Sequence, residues 1–265
     1  MTAELERVIQ WYPGHMVRAM RRIGDYLKLI DIVVEVVDAR VPRSGRNPML
    51  DRLAANRARV VVLNRNDLAH PQTTKDWVAY FAALNVEAVP TDGRTQPGVA
   101  RVASAMRHLT RSIRGTARAL VVGIPNSGKS SIINGLLKRS AAKTENRAGV
   151  TRSLQWFRLP PNIELMDTPG ILVPKISTKA AQWKLAITGA VPRTHYDPEE
   201  VAVAFHRWLQ ARDPRTKVPD LETFAQARGF ARRGGEIDYH NAAQSYIRAL
   251  GEGTFGRMSF EAPDD

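Results

Sequence analysis

The sequence predicts an α/β protein, with a doubly wound, mostly parallel sheet followed by a small all-α domain. Apolar runs alternate with helical patterns over most of the chain, a glycine-rich turn joins one run to a helix, and the last third holds only helical patterns. We place the sheet domain, with an N-terminal helical extension, at residues 1–190 and the helical domain at 191–265.

The apolar runs predict six strands. The run at 32–38 is apolar at almost every position, which is typical of a parallel strand buried on both faces. Further strands are expected near 59–63, 86–90, 118–123, 152–158 and 162–167. Helices are expected near 15–29, 71–84, 97–112, 129–138, 178–188, 197–211, 219–229 and 239–250. The polar tail 261–265 is expected to fray.

One loop matches a phosphate-binding sequence at every fixed position. Gly123–Ser130 reads G-I-P-N-S-G-K-S between an apolar run and a helical pattern. Its glycines let backbone N–H groups close on phosphates, and the helix start adds a favourable dipole. Lys129 would reach the β- and γ-phosphates, and Ser130 would bind Mg²⁺. A ligand-free strand-to-helix turn is the alternative. The predicted nucleotide-binding residues of this loop are Pro125, Asn126, Ser127, Gly128, Lys129, Ser130 and Ser131.

A second motif, D-x-x-G, follows the last of these apolar runs and begins at Asp167. At the end of a strand, Asp167 can hold Mg²⁺ through water, and the Gly170 N–H can sense a γ-phosphate. Between the two motifs, Thr151 can complete the Mg²⁺ shell, an assignment that depends on its neighbours. The sequence therefore predicts a Mg²⁺ site formed by Ser130, Thr151 and Asp167.

A third motif, Asn64-Arg65-Asn66-Asp67, follows the second strand and is similar to the N-K-x-D sequence that reads guanine. The Asp67 carboxylate can accept two hydrogen bonds that guanine offers and adenine does not. Arg65 can lie over a ring face as a cation. After the next strand, Thr91 and Asp92 hold the position from which a backbone N–H can contact the guanine O6. An ordinary polar turn is the alternative interpretation.

The order of these motifs is unusual. In ordinary GTPases the base-reading motif follows D-x-x-G, whereas here it precedes the phosphate-binding loop. Chain termini that lie close together at a surface make such circular permutation physically tolerable. We therefore predict a circularly permuted P-loop GTPase sheet that converts GTP to GDP and phosphate. A nucleotide-binding RNA chaperone or scaffold and an ATP-dependent P-loop enzyme are the alternatives.

Together with their flanks, these motifs resemble those of the circularly permuted ribosome-assembly GTPases of the YlqF/RbgA type. The further segments that carry the resemblance are 10–16, 38–42, 44–48, 149–151 and 256–261. The resemblance implies a GTPase acting late in assembly of the large ribosomal subunit, stimulated by the ribosomal particle, with a helical C-terminal domain that contacts RNA. The sequence departs from the family pattern at Arg65, in place of Lys, and at Thr91-Asp92, in place of Ser-Ala.

The catalytic group is not evident from the D-x-x-G motif, because the next residue, Ile171, cannot position water. The resemblance points to His15, whose neutral imidazole can accept a proton or position water. The predicted catalytic residues are His15, Lys129 and Thr151. The resemblance also implies a K⁺ ion at Asn126, bridging the phosphates. A solvent-facing histidine and a polar loop asparagine are the alternatives.

Composition excludes several classes of protein. The chain has no cysteine, which excludes disulfides and thiolate-bound zinc. No apolar run approaches the roughly 18 residues that span a bilayer, and the polar N-terminus shows no secretory signal. We therefore expect a cytoplasmic protein without a membrane partner, with an organellar matrix as the alternative location, and a monomer.

The net charge of +13 is unevenly distributed. Residues 1–189 contain 29 Lys and Arg against 14 Asp and Glu, a net +15, so the basic excess lies on the GTPase part. Many of these basic residues fall in two clusters, which suit the phosphate backbone of a nucleic acid. We expect rRNA rather than DNA as the partner. A solvated helix face is the alternative. The two basic clusters consist of Arg101, Arg107, His108, Arg111, Arg114 and Arg118, and of Lys138, Arg139, Lys143, Arg147 and Arg152.

Overall fold

The computed structural model describes residues 14, 26–48, 51, 54, 57–140, 155–168, 176, 178–230 and 236–265. The chain divides into two compact units. The sheet unit comprises Tyr12–Val173 and Arg257–Asp265, and the helical unit comprises Met1–Trp11 and Pro174–Gly256. The last nine residues therefore belong to the sheet unit.

The sheet unit is built on six strands in the described part of the chain. They are β1 (Ile32–Asp38), β2 (Ala58–Asn64), β3 (Glu87–Pro90), β4 (Ala117–Val122), β5 (Gln155–Leu159) and β6 (Ile163–Asp167). Their order is β3-β2-β1-β4-β6-β5, with β5 antiparallel to β6 and the other neighbouring strands parallel. The predicted mostly parallel sheet is confirmed.

Helices cover both faces of the sheet because alternate residues of each strand point to opposite faces. The helices are α1 (Pro71–Ala83), α2 (Gln96–Thr110) and α3 (Lys129–Ser140). Trp77 and Phe81 of α1 pack with Val61 and Leu63, whereas the apolar faces of α2 and α3 pack in a second cluster that contains Val62. The sheet is therefore doubly wound, as the sequence predicts.

Strand β1 marks the point at which the chain changes direction across the sheet. It pairs with β2 on one side and β4 on the other, so the loops after these strands diverge at their carboxyl ends. In open α/β sheets, ligands bind in the crevice at such a switch point. The phosphate-binding loop follows β4, and the Asn64–Asp67 loop begins at the end of β2.

The helical unit contains α4 (Lys179–Ile187), α5 (Pro198–Arg212), α6 (Leu221–Ala227) and α7 (Tyr239–Glu252). Its core is aromatic, since Trp183 packs against Phe205 and Trp208, and Phe205 in turn lies against Tyr246. The sequence places α4 in the first domain, whereas the structure groups it with the later helices because of these contacts.

Two smaller elements complete the described fold. Short 3-10 helices lie at Leu27–Leu29 and Arg193–His195. The helix predicted near 15–29 falls largely outside the described residues. Among the helices that the structure describes, none combines the length and apolarity needed to cross a bilayer.

The prediction that the tail frays is wrong. Phe260 and Glu261 are buried in the sheet unit, and the Trp77 indole donates a hydrogen bond to the Glu261 carbonyl over 3.2 Å. The end of the chain is therefore packed against α1 despite its polar composition.

Candidate functional site

The phosphate-binding loop is tightly packed around its glycines. Gly128 has a φ of +92°, and a Cβ there would lie 2.0 Å from Nδ2 of Asn64. A Cβ on Gly123 would lie 2.3 Å from the carbonyl oxygen of Val36. Only glycine permits this backbone and these close approaches, so the sequence motif corresponds to a real steric requirement.

Lys129 begins α3 and is buried, with its Nζ donating to the Ile124 carbonyl over 3.0 Å. Burial lowers the pKa of Lys129 to about 8, against the opposing effect of the Asp167 carboxylate. A phosphate would supply the negative charge that favours the ammonium form. The arrangement therefore suits an anionic ligand.

The remaining loop residues present polar atoms. The Ser127 Oγ is buried and has no hydrogen-bond partner within the described residues, while Asn126, Ser130 and Ser131 are exposed. A buried hydroxyl without a partner is unusual and is explained when a ligand supplies the missing atom. Pro125, which lacks an N–H, is half-buried.

Asp167 lies at the end of β6, in register with Val121 of β4. The neighbouring Thr168 hydroxyl donates to the Val121 carbonyl over 2.7 Å, which fixes this turn to the strand that leads into the phosphate-binding loop. Asp167 is buried near Lys129, as its effect on the pKa of that lysine indicates.

This donor set fits Mg²⁺. The Ser130 hydroxyl and the Asp167 carboxylate offer the oxygen ligands that Mg²⁺ prefers. In the part of the chain that the structure describes, no cluster of His, Cys, Asp and Glu could hold a metal unaided.

Asn64 joins three loops. Its Nδ2 donates to the Ser127 carbonyl over 2.8 Å, and its Oδ1 accepts from the Gly93 N–H over 2.9 Å. The base-reading loop, the phosphate-binding loop and the loop after β3 are therefore held together by a single buried amide. The permuted segments meet at one edge of the sheet.

Arg65 replaces the lysine of the N-K-x-D pattern and reaches the phosphate-binding loop. Its Nη2 donates to the Asn126 carbonyl over 2.9 Å, and its Nη1 lies 3.6 Å from Oδ2 of Asp38. Burial lowers the pKa of Arg65, an effect that the Asp38 carboxylate opposes. The arginine is thus held in place by groups on β1 and on the loop after β4.

Asp67 is the acidic residue at the end of the base-reading motif. Its Oδ2 accepts a hydrogen bond from Arg94 over 2.5 Å, whereas its Oδ1 is buried without a hydrogen-bond partner among the described residues. Arg94 also pairs with Asp92, and hydrogen bonding to Asp92 together with the charge of Asp67 raises the pKa of Arg94. The Thr91 carbonyl accepts a hydrogen bond from the Asn66 N–H over 3.0 Å, which ties the base-reading loop to the residue after β3.

The structure brings together most of the predicted site residues, but a few of them are not among the residues that it describes. His15, Thr151 and Gly170, with Ile171, lie outside the described residues and stay predictions. Sequence reasoning missed the contributions of Thr168, Asp38 and Arg94. Of these, only Asp38 had a signal, its place at the end of a strand beside the base-reading strand.

Comparisons with known proteins agree with this geometry. A family model described as 50S ribosome-binding GTPase matches residues 118–206. Ribosome biogenesis GTPase A of Bacillus cereus is 39% identical over 281 residues, covering 97% of this chain and 95% of that protein.

Two solved structures are also similar. The GDP-bound structure of TM YlqF has a TM-score of 0.73 and 30% identity, covering 92% of this chain and 100% of that one. The GNP-bound YlqF from T. maritima has a TM-score of 0.72 and 30% identity, covering 94% and 99%. The resemblance that the sequence predicts is confirmed, as is the GTPase class. The chain belongs to the ribosome biogenesis GTPase A family of GTP-hydrolysing enzymes.

Proposed function

We propose that this chain is a Mg²⁺-dependent GTPase that acts as a switch in late assembly of the large ribosomal subunit. The observation that carries the proposal is the bridge by Asn64, which draws the base-reading and phosphate-binding loops into one nucleotide site. The relatives named above, with their printed role in ribosome biogenesis, support the cellular part of the proposal.

Guanine is recognised by Asp67. The unpartnered Oδ1 accepts from one N–H of the base, and Oδ2 accepts from another once Arg94 releases or shares it. Arg65 lies beside the base as a planar cation, tethered through the Asn126 carbonyl. The Thr91–Gly93 turn supplies a backbone N–H towards the O6 position.

The phosphates are held by the loop around Lys129. Its ammonium group turns from the Ile124 carbonyl to the β- and γ-phosphates, and Ser127 donates its free hydroxyl. Ser130 and Asp167, with Thr151, would hold Mg²⁺, which when bound neutralises charge between the phosphates. Asn126 would hold K⁺, and its exposed position on the loop supports that assignment.

The attacking water is positioned by His15 in this proposal, because Ile171 offers no hydrogen-bonding group. The Gly170 N–H senses the γ-phosphate. The ribosomal particle then stimulates turnover.

The partner in this proposal is rRNA in a large-subunit precursor. The protein binds it as a monomer in the cytoplasm. Three arginines at the end of α2 and in the turn after it, Arg107, Arg111 and Arg114, are exposed. Lys138 of α3, a helix that contacts α2, is also exposed. Exposed cations attract a phosphate backbone and make binding depend on salt.

The test is GTP hydrolysis by purified protein in potassium buffer with Mg²⁺, with and without large ribosomal subunits, beside His15→Ala. We expect stimulation by the subunits that the variant loses. Stimulation that survives in the variant would move catalysis to another group. GTP binding without any stimulation would contradict the switch and favour a nucleotide-binding scaffold.

A further inference from the structure

The last nine residues belong to the sheet unit, and we call the first five of them, Arg257–Glu261, the C-terminal strap. Its backbone makes two hydrogen bonds to loops at the carboxyl edge of the sheet. The Met258 N–H donates to the Leu68 carbonyl over 2.9 Å, and the Phe260 N–H donates to the Arg40 carbonyl over 2.9 Å. The strap therefore contacts both the base-reading loop and the loop after β1.

The Arg257 side chain makes the contacts closest to the proposed guanine site. Its Nε donates to the Ala69 carbonyl and its Nη2 to the Asn66 carbonyl, each over 2.8 Å. These carbonyls lie on either side of Asp67 in the chain, one residue before it and two after. A planar guanidinium bound to both fixes the spacing of the turn that presents the Asp67 carboxylate.

The base-reading loop depends on such support because it lies outside the regular hydrogen bonding of the sheet. Around Asp67, its own backbone supplies a hydrogen bond from the Leu68 N–H to the Arg65 carbonyl and one from the Asn66 N–H to Thr91. Recognition of a base by a bidentate carboxylate requires placement within about 0.5 Å, which usually needs supporting contacts. The strap supplies several of them.

The rest of the strap is firmly anchored. The Ser259 hydroxyl accepts from the His70 N–H over 3.1 Å. Phe260 is buried against the Arg40 guanidinium. The Glu261 carboxylate accepts from the Arg43 and Ser44 N–H groups over 2.8 and 3.1 Å. The residues that follow Arg257 are thus anchored to the sheet unit, and they help to set its position.

We propose that Arg257 is a positioning residue for guanine recognition, holding the base-reading loop so that both oxygens of Asp67 face the base. This inference rests on the proposed role of Asp67. It goes beyond the nucleotide motifs because it assigns part of the base specificity to a residue about 190 positions further along the chain. Arg257 touches no substrate and acts through the loop.

The test compares binding of GDP with binding of IDP, inosine diphosphate, by titration calorimetry with Mg²⁺. Hypoxanthine lacks the 2-amino group and offers Asp67 one hydrogen bond instead of two. We expect Arg257→Ala to weaken GDP binding by roughly three- to tenfold and IDP binding by less, because loss of an exposed charged contact is worth about that factor. The preference for GDP over IDP should therefore fall.

A matched control is Arg43→Ala. Arg43 ties down the end of the tail by donating to the Pro263 and Asp265 carbonyls, each over 2.6 Å, and leaves the Arg257 contacts intact. GDP affinity in this variant should stay within about twofold of the wild type. Arg257→Lys, which keeps the charge but cannot grip both carbonyls, should fall between wild type and Arg257→Ala.

Two outcomes would overturn the inference. One is unchanged affinity for both nucleotides in Arg257→Ala, and the other is an equal loss for GDP and IDP, which would indicate general destabilisation. If Arg257→Ala fails to fold, Ser259→Ala removes a milder contact of the same strap and takes its place.

Asp67→Asn, titrated alongside, separates the two proposals. If it keeps the GDP preference, the base-reading role of Asp67 itself fails. If it loses the preference while Arg257→Ala keeps it, only the present inference fails.

Discussion

Asn64 donates a hydrogen bond from Nδ2 to the Ser127 carbonyl over 2.8 Å across 63 positions of sequence. The contact exists because the residue after Ser127 is glycine, since a Cβ on Gly128 would lie 2.0 Å from that nitrogen. A motif residue of the phosphate-binding loop is therefore also required by the base-reading loop. This mutual dependence shows how a permuted chain builds one site.

Gly128→Ala should abolish tight nucleotide binding. The new methyl group strains a backbone at φ +92° and collides with Asn64, so we expect GDP affinity to fall by about 100-fold or more in calorimetric titrations. Gly115→Ala is the matched control, because Gly115 has a φ of +89° and open space around it. That variant should lose about 1 kcal/mol of stability and keep its affinity. Equal affinities in the two variants would contradict the steric argument.

Arg94→Ala should strengthen GDP binding. Arg94 occupies Oδ2 of Asp67, which in the proposed site accepts a hydrogen bond from guanine. An exposed ion pair of this kind is worth up to about 1 kcal/mol, or roughly fivefold in affinity. The dissociation constant of a fluorescent GDP analogue measures the change. Arg107→Ala, which removes the same charge from an exposed position on α2, should have little effect. Weaker GDP binding by Arg94→Ala would mean that Arg94 contacts the nucleotide instead.

Glu35→Gln should destabilise the sheet unit. Glu35 is a buried carboxylate on β1 that accepts from Arg46 over 3.0 Å and from Arg59 over 2.6 Å. In the variant, the two largely buried guanidinium groups lose their buried negative partner. We expect the free energy of unfolding to fall by about 3 kcal/mol. Urea denaturation measures this.

Asp51→Asn provides the control for that experiment. Asp51 pairs with the same two arginines at 2.6 and 2.5 Å, but its side chain is 45% exposed. The variant should lose less than about 1 kcal/mol. If both variants lose the same amount, burial is not what makes the Glu35 contacts important.

Tyr246→Phe should make the helical unit less sensitive to alkali. Burial, and then the Asp220 carboxylate, raises the pKa of the Tyr246 hydroxyl above its ordinary value of about 10. The folded state therefore holds this proton more tightly than the unfolded state. The stabilisation is complete below about pH 10 and is lost as the pH rises from there towards the folded-state pKa.

The measurement is the melting temperature of wild type and Tyr246→Phe between pH 8 and about pH 11.5. At pH 8 the variant should be less stable by about 1 kcal/mol, because the hydrogen bond to the Pro219 carbonyl at 2.6 Å is gone. Above about pH 10 the wild-type curve should fall more steeply and approach that of the variant. Parallel curves would show that the hydroxyl does not titrate differently in the two states.

Much of the fold could be predicted because its signals are local. A strand buried on both faces, such as β1, is a continuous apolar run, and the phosphate-binding loop has a fixed spacing of glycines. The strand ends then fix which loops meet at one edge of the sheet. Asn64 and Asp167 could be assigned to one site for that reason.

The missed features depend on contacts between residues far apart in sequence. Nothing near Arg257 indicates that it binds the Asn66 and Ala69 carbonyls, and the acidic, proline-containing tail is typical of a frayed terminus. The tail is held in place because Glu261 and the preceding residue, Phe260, are buried in the sheet unit. Tertiary packing overrides local composition there. The pairing of Arg94 with Asp67 likewise leaves no periodic signal.

The decisive experiment compares the affinities of the wild-type protein for GDP and for ADP with those of Asp67→Asn. We predict that the wild type prefers GDP by about 100-fold or more, because adenine leaves the Asp67 oxygens without donors. The variant should lose most of that preference. Equal binding of GDP and ADP by the wild type, or an unchanged preference in the variant, would contradict the central claim that the permuted loops form a guanine-reading site.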